Sequence, residues 1–412
     1  MKISCRICAS QHLESFLDFG LLALTGKYAD PGVNIDKQPL NLGKCFDCGL
    51  VQLMDNFKNT DLYSEGYGYE SHLNNSMKSH LQSTAEFIEN WVKPGRNDVI
   101  VDVASNDGTL LSGYSSNTNK LIGIDPLINI FADKYPTGAI KINEFFSKES
   151  YFKNTDQKAK IITSFSVFYD LEDPVKFSQH IENILEEDGV WVLEQSYLPM
   201  MIGSLGFDTI CHEHLLYLSL NDFDRIFKQV GLQIFEAKLN DVNGGSIQLY
   251  VKKPSNSNYE ISPYVKWLLE WETLSGVTSF ESCSVFAKNV AEYSLQLRKL
   301  VESYKELGYF IFGLGASTKG NVLLQYCNLG ELIEEIGEIN SKKFGKITPG
   351  SNIPIVNQDK LIGSQNLDAT NQLGIIIPWH FRNSIKSSAE GYMSKGGKLL
   401  VPLPFPEVIG FK

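Results

Sequence analysis

Four cysteines constrain this chain more than any other feature. Cys5 and Cys8 form one Cys-x2-Cys pair, Cys45 and Cys48 a second, and 36 residues lie between them. Two such pairs supply the four thiolates that close a tetrahedral structural zinc site, whereas a redox dithiol needs only one pair. Each pair sits in a turn, Cys5-Arg6-Ile7-Cys8 and Cys45-Phe46-Asp47-Cys48-Gly49, where backbone N–H groups can point at the sulfurs. A closed site has no open coordination position, so the expected Zn2+ is structural. A module this small buries little core, and metal binding is expected to supply much of its folding free energy. Its expected span is residues 1–65.

The rest of the chain needs further cores, because 412 residues exceed what one domain usually holds. Hydrophobic residues make up 43% and charged residues 21%, which excludes the sparse, highly charged composition of a disordered chain. The net charge of −11 disfavours nucleic-acid partners, whose phosphates would have to find a local basic patch. No run of eighteen apolar residues occurs and the start, MKISCRICAS, has no apolar h-region. Neither a membrane span nor a signal peptide is expected, and the expected location is cytoplasmic.

A helical stretch is predicted from Ser71, with Leu73, Met77, Leu81 and Phe87 on one face, ending near Pro94-Gly95. From Asp98 to about residue 252, the apolar runs VIVDVAS, KLIGIDP, AIKINEF, KIITSFSVF, GVWVLEQS and SIQLYVKK alternate with amphipathic stretches. That alternation predicts an α/β sheet with helices between strands. Residues 256–305 have little strand character and read as a helical connector. A second α/β unit opens with GYFIFGLGASTKGN and ends with KLLVPLPFPEV. The expected fold class is therefore α/β: a zinc-binding domain (1–65), a central Rossmann-like domain (66–255), the connector (256–305) and a C-terminal Rossmann-like domain (306–412).

Two glycine-containing turns and one loop concentrate the chemistry. The run from Val99 to Leu110 is a buried strand, a turn of small residues (Ala104-Ser105-Asn106-Asp107-Gly108) and a helix start. Asp102 lies in that strand, and Asp125, 23 residues later, ends the next one, where a carboxylate can accept both ribose hydroxyls. The turn has too few glycines for close approach of a pyrophosphate, which favours S-adenosylmethionine over a dinucleotide. The loop Phe207-Asp208-Thr209-Ile210-Cys211-His212-Glu213-His214 gathers two imidazoles and two carboxylates, but its histidines are two apart and not the four of a helical zinc-protease motif. In the last domain, Gly313-Leu314-Gly315-Ala316-Ser317-Thr318-Lys319-Gly320-Asn321 offers backbone donors and one cation to an anion at a helix N-terminus. With Glu338 25 residues past Gly313 an NAD site is arithmetically open, although Thr318 stands where a third glycine belongs.

With these marks in order, the chain resembles the sugar C-methyltransferase family, S-adenosylmethionine-dependent enzymes that alkylate a ring carbon of nucleotide-linked 4-keto-6-deoxy sugars. The resemblance runs nearly end to end. It rests on the cysteine quartet, Tyr67-Gly68-Tyr69-Glu70-Ser71 with Met77 and His80, DVASNDGTLL, FDTICHEH, the Gly244-Gly245-Ser246 turn and GLGASTKGN. It implies a class I methyltransferase fold in the centre and a C-terminal domain that helps hold a dTDP- or GDP-linked sugar, methylated most readily at C3. It also implies that His214 is the general base, with Glu213 beside it and Tyr67 and Tyr69 hydrogen-bonding the sugar. His212, Asp170, Lys319 and Asn321 are the expected substrate-binding residues, Lys319 and Asn321 at the diphosphate. Asp102, Ala104, Ser105, Asn106, Asp107, Gly108 and Asp125 form the expected cofactor set. Methylating carbon requires an enolate, hence both a base and a stabiliser for the ketone oxygen.

Three positions depart from the family pattern. Cys211 replaces a tyrosine, Ala104 replaces a glycine of the cofactor turn, and Ser166-Val167-Phe168-Tyr169-Asp170 replaces an N-x-x-x-H segment. Losing a phenol and an imidazole changes the donors available to a keto sugar. Two other readings follow: methyl transfer to oxygen or nitrogen, which needs no enolate, and a zinc-supported nucleotide-sugar-binding protein without turnover.

Overall fold

The structure, a computed structural model, describes residues 3–55, 69–115, 120–363 and 368–410. Three sheets form among the described residues. The first begins with three antiparallel strands, β1 (Leu13–Ala23), β2 (Lys37–Cys45) and β3 (Val51–Leu53). Its fourth strand comes from much later in the sequence. Leu216–Tyr217, β9 in chain order, pairs antiparallel with β3 through Val51 and Gln52. The zinc module is thus completed by the segment that follows His214, and no boundary drawn along the sequence at residue 65 captures this.

The central sheet contains β4 (Val99–Val103), β5 (Lys120–Ile124), β6 (Ile140–Ile142), β7 (Ala159–Phe165), β8 (Leu185–Ser196), β10 (Gln233–Asn240) and β11 (Ser246–Lys252). Its order is β10-β11-β8-β7-β4-β5-β6, parallel from β8 to β6, with β11 antiparallel to both neighbours. This is the class I methyltransferase topology that the family resemblance implies; the strand pattern by itself predicts an α/β sheet. β4 is buried along its whole length because helices cover both faces, which explains why VIVDV is continuously apolar apart from Asp102. The chain runs outward from β4 to β6 and returns to β7, so a crevice opens at the carboxyl ends of β4 and β7.

Helix α1 (Asn75–Val92) starts after a 3-10 turn at Ser71–Leu73, with the Asn74 side chain accepting the N–H groups of Ser76 and Met77. It buries Met77, Leu81, Ala85 and Ile88. Phe87, expected on that face, is 45% exposed, because six residues after Leu81 turn it away. It stacks on Trp91 instead, with the Lys238 ammonium 3.8 Å from its ring centroid. Helices α2 (Pro174–Ile184) and α3 (Leu220–Gln229) flank the sheet, and α4 (Pro263–Ser275) and α5 (Phe280–Glu306) form the helical connector.

The third sheet contains β12 (Phe310–Leu314), β13 (Ile336–Glu338), β14 (Ile355–Asn357), β15 (Gln372–Ile376), β16 (Lys398–Val401) and β17 (Glu407–Gly410), in the order β14-β13-β12-β15-β16-β17. It is parallel except for β17, and its order reverses between β12 and β15. Helix α6 (Thr318–Tyr326) leaves β12 there, capped by the Ser317 hydroxyl accepting from Gly320 N–H at 3.0 Å. Gly320 is obligatory at this approach, since a Cβ would lie 1.9 Å from Ile377 Cγ2. Among the described residues no helix is long and apolar enough to cross a membrane.

Candidate active site and metal centre

The two cysteine pairs converge. The Sγ atoms of Cys5, Cys8, Cys45 and Cys48 all lie within 4.8 Å of one another, with Cys5–Cys48 at 3.3 Å and Cys8–Cys45 at 3.7 Å. Tetrahedral zinc with sulfur at ~2.3 Å needs sulfurs about 3.8 Å apart, so the quartet fits the ion. The two turns are alike: Ala9 N–H donates to Cys5 carbonyl and Gly49 N–H to Cys45 carbonyl, each at 2.9 Å, and both residues have positive φ. Zinc is therefore a structural component, held by thiolates that leave no position for substrate.

The cofactor crevice is framed by the turn after β4 and by Asp125 at the end of β5. Ala104, Asn106 and Gly108 all take positive φ (58°, 48° and 75°), folding the turn tightly over the strand ends. Asp125 Oδ2 accepts Asn106 N–H at 3.0 Å and Oδ1 accepts Leu127 N–H at 2.7 Å, which orients the carboxylate along the crevice. Burial pushes its pKa up to about 6. Asp102 lies under the turn, its Oδ1 accepting the Thr163 hydroxyl at 2.7 Å, and burial pushes it to about 7. Ser105 shares a hydrogen bond with Tyr135, and Gly108 lies where a Cβ would meet the Tyr135 ring at 3.0 Å. The side chains of Asn106 and Asp107 latch the entry to α1: Asn106 Oδ1 accepts Ser71 N–H, and Asp107 Oδ2 accepts His72 N–H at 3.0 Å and faces its ring Nδ1 at 2.7 Å. A compact turn without a glycine cradle beside an acidic strand end fits S-adenosylmethionine, which brings ribose hydroxyls but no phosphate.

The candidate catalytic loop, Phe207 to His214, lies between β8 and β9. His214 is buried, and its Nδ1 donates to Thr209 carbonyl at 2.7 Å, since the carbonyl can only accept. Burial and then the Lys319 charge lower its pKa to about 3, so the ring is neutral and Nε2 carries the lone pair. The ring packs on Tyr169 at 4.0 Å between centroids. Tyr169, Tyr197, Thr209, His214 and Tyr217 line one small cavity.

Neighbouring residues of the loop face elsewhere. Glu213 Oε2 accepts the Thr25 hydroxyl at 3.1 Å, and a Cβ on Gly26 would lie 2.7 Å from Oε1, so this carboxylate is seated against the zinc module. His212 is fully buried with Nε2 3.4 Å from Gln38 carbonyl, and burial lowers its pKa. Asp208 Oδ2 accepts Trp379 Nε1–H from the C-terminal domain at 2.9 Å. That indole fits because Gly244 has no side chain; a Cβ there would be 2.8 Å from the ring. Tyr69 is 42% exposed at the rim, where its carbonyl accepts Asn106 Nδ2–H at 3.3 Å, and Tyr67 lies outside the described residues.

Lys319, in the first turn of α6, donates to Asn243 carbonyl at 3.2 Å, within electrostatic reach of Asp208, Cys211, Asp170 and His214. Asn321 turns the other way, its Nδ2 donating to Thr25 carbonyl at 2.7 Å and reaching Tyr28 Oη at 3.2 Å. Glu338 accepts three backbone N–H groups, from Ala316, Ile339 and Asn340, so its carboxylate is occupied by protein where an NAD ribose would need it. Tyr169, Tyr197, Tyr217, Trp379 and Lys343 escaped the sequence reading; Trp379 had a local signal in PWHF, beside the chemistry-bearing His380, but the tyrosines resemble any core aromatics.

Comparison with known proteins gives the same order of domains. Residues 5–63 match a zinc-binding domain, residues 69–237 a methyltransferase domain and residues 241–404 the C-methyltransferase C-terminal domain. The chain is 26% identical to the C-methyltransferase NovU of Streptomyces niveus, over 98% of this chain and 96% of that one. Solved structures with partial likeness include the plantazolicin methyltransferase BpumL in complex with SAH, at 14% identity and a TM-score of 0.36 over 44% of this chain and 88% of that one. Another is an S-adenosylmethionine-dependent methyltransferase from Clostridium acetobutylicum ATCC 824, at 13% and 0.33 over 42% and 91%. Three consecutive domain matches, a thiolate quartet that fits zinc and a crevice that fits the cofactor place this chain in the C-methyltransferase family, as an S-adenosylmethionine-dependent enzyme with a structural zinc.

Proposed function

We propose that the enzyme methylates a ring carbon, C3, of a dTDP- or GDP-linked 4-keto-6-deoxy sugar, with His214 as the base that removes the proton beside the ketone. The observation that carries this reading is the state of His214: neutral, locked through Nδ1 and presenting Nε2 as an acceptor. When bound, S-adenosylmethionine supplies an electrophilic methyl group. The chain's own residues do the rest. His214 takes the proton at Nε2, and the resulting imidazolium is stabilised by the enolate charge formed beside it, which offsets the low basicity of the free ring. Asp125 orients the cofactor ribose. Tyr69, exposed at the rim, and Tyr67 hydrogen-bond the sugar, with Asp170 as a further substrate-binding residue. Glu213 and His212 position the loop by anchoring it to Thr25 and β2. The crevice at the C-terminal sheet's order reversal receives the nucleotide portion. There the loop from Gly313 to Asn321 lies beside Lys343, whose ammonium donates to Ala316 carbonyl at 2.7 Å.

Mass spectrometry of incubations with the cofactor and a panel of these keto sugars, in ordinary and heavy water, tests the reading. The expected product carries the new methyl on ring carbon, and His214→Ala should lose ~10²- to 10⁴-fold in kcat with cofactor affinity unchanged. Methylation of sugars lacking a ketone, or methyl on oxygen or nitrogen, would overturn it.

A further inference from the structure

An enolate puts negative charge on the former ketone oxygen, and the groups aimed at that oxygen decide how fast it forms. Where the family pattern has a phenol and an imidazole, this chain has Cys211 and Asp170. Burial keeps Cys211 a thiol, a weak donor, and a carboxylate only accepts. A cationic donor from another element would be a stronger stabiliser of the enolate charge than a neutral hydroxyl.

Lys319 is placed to be that donor. Its helix, α6, packs against the turn at Phe207–Thr209 that begins the catalytic loop. Its half-buried ammonium has one hydrogen bond, to the neutral carbonyl of Asn243, and no ion pair within 4.0 Å among the described residues. The acidic neighbours are committed differently: Asp208 faces Trp379 Nε1, and Asp170 influences Lys319 only from beyond ion-pair distance. Burial and then the Lys319 charge hold the pKa of His380, the other titratable group nearby, well below the ordinary histidine value. A three-proton cation with so few acceptors is costly in a sheltered cleft, and an oxyanion would complete it.

We infer that Lys319 hydrogen-bonds the sugar's ketone oxygen and stabilises the enolate, instead of binding the diphosphate; this rests on the keto-sugar reading above. In the step, the C–H bond breaks and its proton passes to His214 Nε2. The C–H pair becomes the carbon–carbon π bond, and the carbonyl π pair moves onto the oxygen facing Lys319. The enolate carbon then forms its bond to the methyl group as the cofactor's sulfur–methyl bond breaks, the ketone is restored, and the sulfur keeps the pair.

The experiment measures deuterium entry from heavy water into dTDP-4-keto-6-deoxyglucose and its GDP-linked mannose counterpart, with S-adenosylhomocysteine present, alongside methyl transfer and dTDP or GDP affinity. Lys319→Met should lose ~10²-fold or more in both exchange and kcat, with KM and nucleotide affinity within a few-fold of wild type. Lys319→Arg should recover part of the exchange. Retained S-adenosylhomocysteine binding certifies the fold, and Lys319→Gln, which keeps a donor for Asn243, serves if the methionine variant does not fold. Exchange at the wild-type rate, or a nucleotide affinity lowered tenfold with kcat nearly intact, overturns the assignment to the ketone. If the wild-type enzyme itself neither exchanges nor methylates either sugar, the keto-sugar reading falls and the role of Lys319 falls with it.

Discussion

Ala104 is the residue at which a family departure meets backbone physics. Its φ of 58° is the left-handed region, which costs an L-residue ~1–2 kcal/mol and glycine nothing. Glycine gives back ~0.5–1 kcal/mol through the freedom it gains on unfolding, so Ala104→Gly should stabilise the enzyme by about 0.5 kcal/mol, seen as a small rise in melting temperature. An equal loss of stability would mean that the methyl packs favourably enough to outweigh the strain. Asp125 carries a second prediction. With its pKa pushed to about 6 by burial, it takes a proton on mild acidification and can no longer accept two hydroxyls. The dissociation constant of S-adenosylhomocysteine should therefore rise as pH falls below about 6, and Asp125→Asn should bind weakly with no such dependence; titration calorimetry from pH 5 to 8 checks both. The acidic strand end was legible because spacing places it, whereas the roles of Asn106 and Asp107 were not. Their side chains turn back to Ser71 and His72, and only a folded turn fixes that direction.

At the scale of elements, α1 is held to the sheet by one charged contact as well as by its apolar face. His80 Nε2 lies 2.6 Å from Glu194 Oε1 on β8, and Glu194 Oε2 accepts from Asn240 and Gln248. Burial lowers the His80 pKa, but the hydrogen bond and charge of Glu194, with Asp241 adding, outweigh it and raise the value above 6.5. Lys238, over the Phe87 ring, lines the same surface pocket as His80. A raised histidine pKa stabilises fully below 6.5 and loses that contribution as pH rises through the folded value. His80→Gln should cost on the order of 1 kcal/mol at pH 6 and less at pH 9. Urea unfolding at the two pH values measures it, and equal costs would show that the contact is not ionic. Helix α1 itself was readable from its period, but β9 and β14, two and three residues long, carry too little pattern to separate them from loop.

The whole molecule is tied together by the zinc module. Besides β9, Ala23 exchanges hydrogen bonds with Gln325 of α6, Tyr28 Oη–H donates to Ala316 carbonyl at 2.7 Å, and Ala29 bridges Ile347. Glu70 joins Lys134 and Lys342, each at 2.6 Å, across the central and C-terminal domains. A closed structural site by itself predicts that Cys5→Ser weakens folding without touching chemistry. With His214 as the proposed base, chemistry should depend on the metal, because the strand paired with β3 begins two residues after it. Removing zinc with a strong chelator, or Cys5→Ser, should lower kcat at least ~10-fold in parallel with stability, since misplacement of a base by an ångström is already costly. An apo enzyme that stays folded with full kcat would refute this coupling.

What the sequence by itself determined was whatever depends on local period and local chemistry. The thiolate pairs specify a tetrahedral metal, continuous apolar runs specify buried parallel strands, and a strand, a small-residue turn and a carboxylate one strand later specify an adenosyl crevice. Only the tertiary structure decided where His212, Glu213, Lys319 and Asn321 point. Each lies in a motif that spacing identifies, yet their partners are between 76 and 296 residues away in the chain. A side chain's direction is set by the surface packed against it, and that surface comes from another domain.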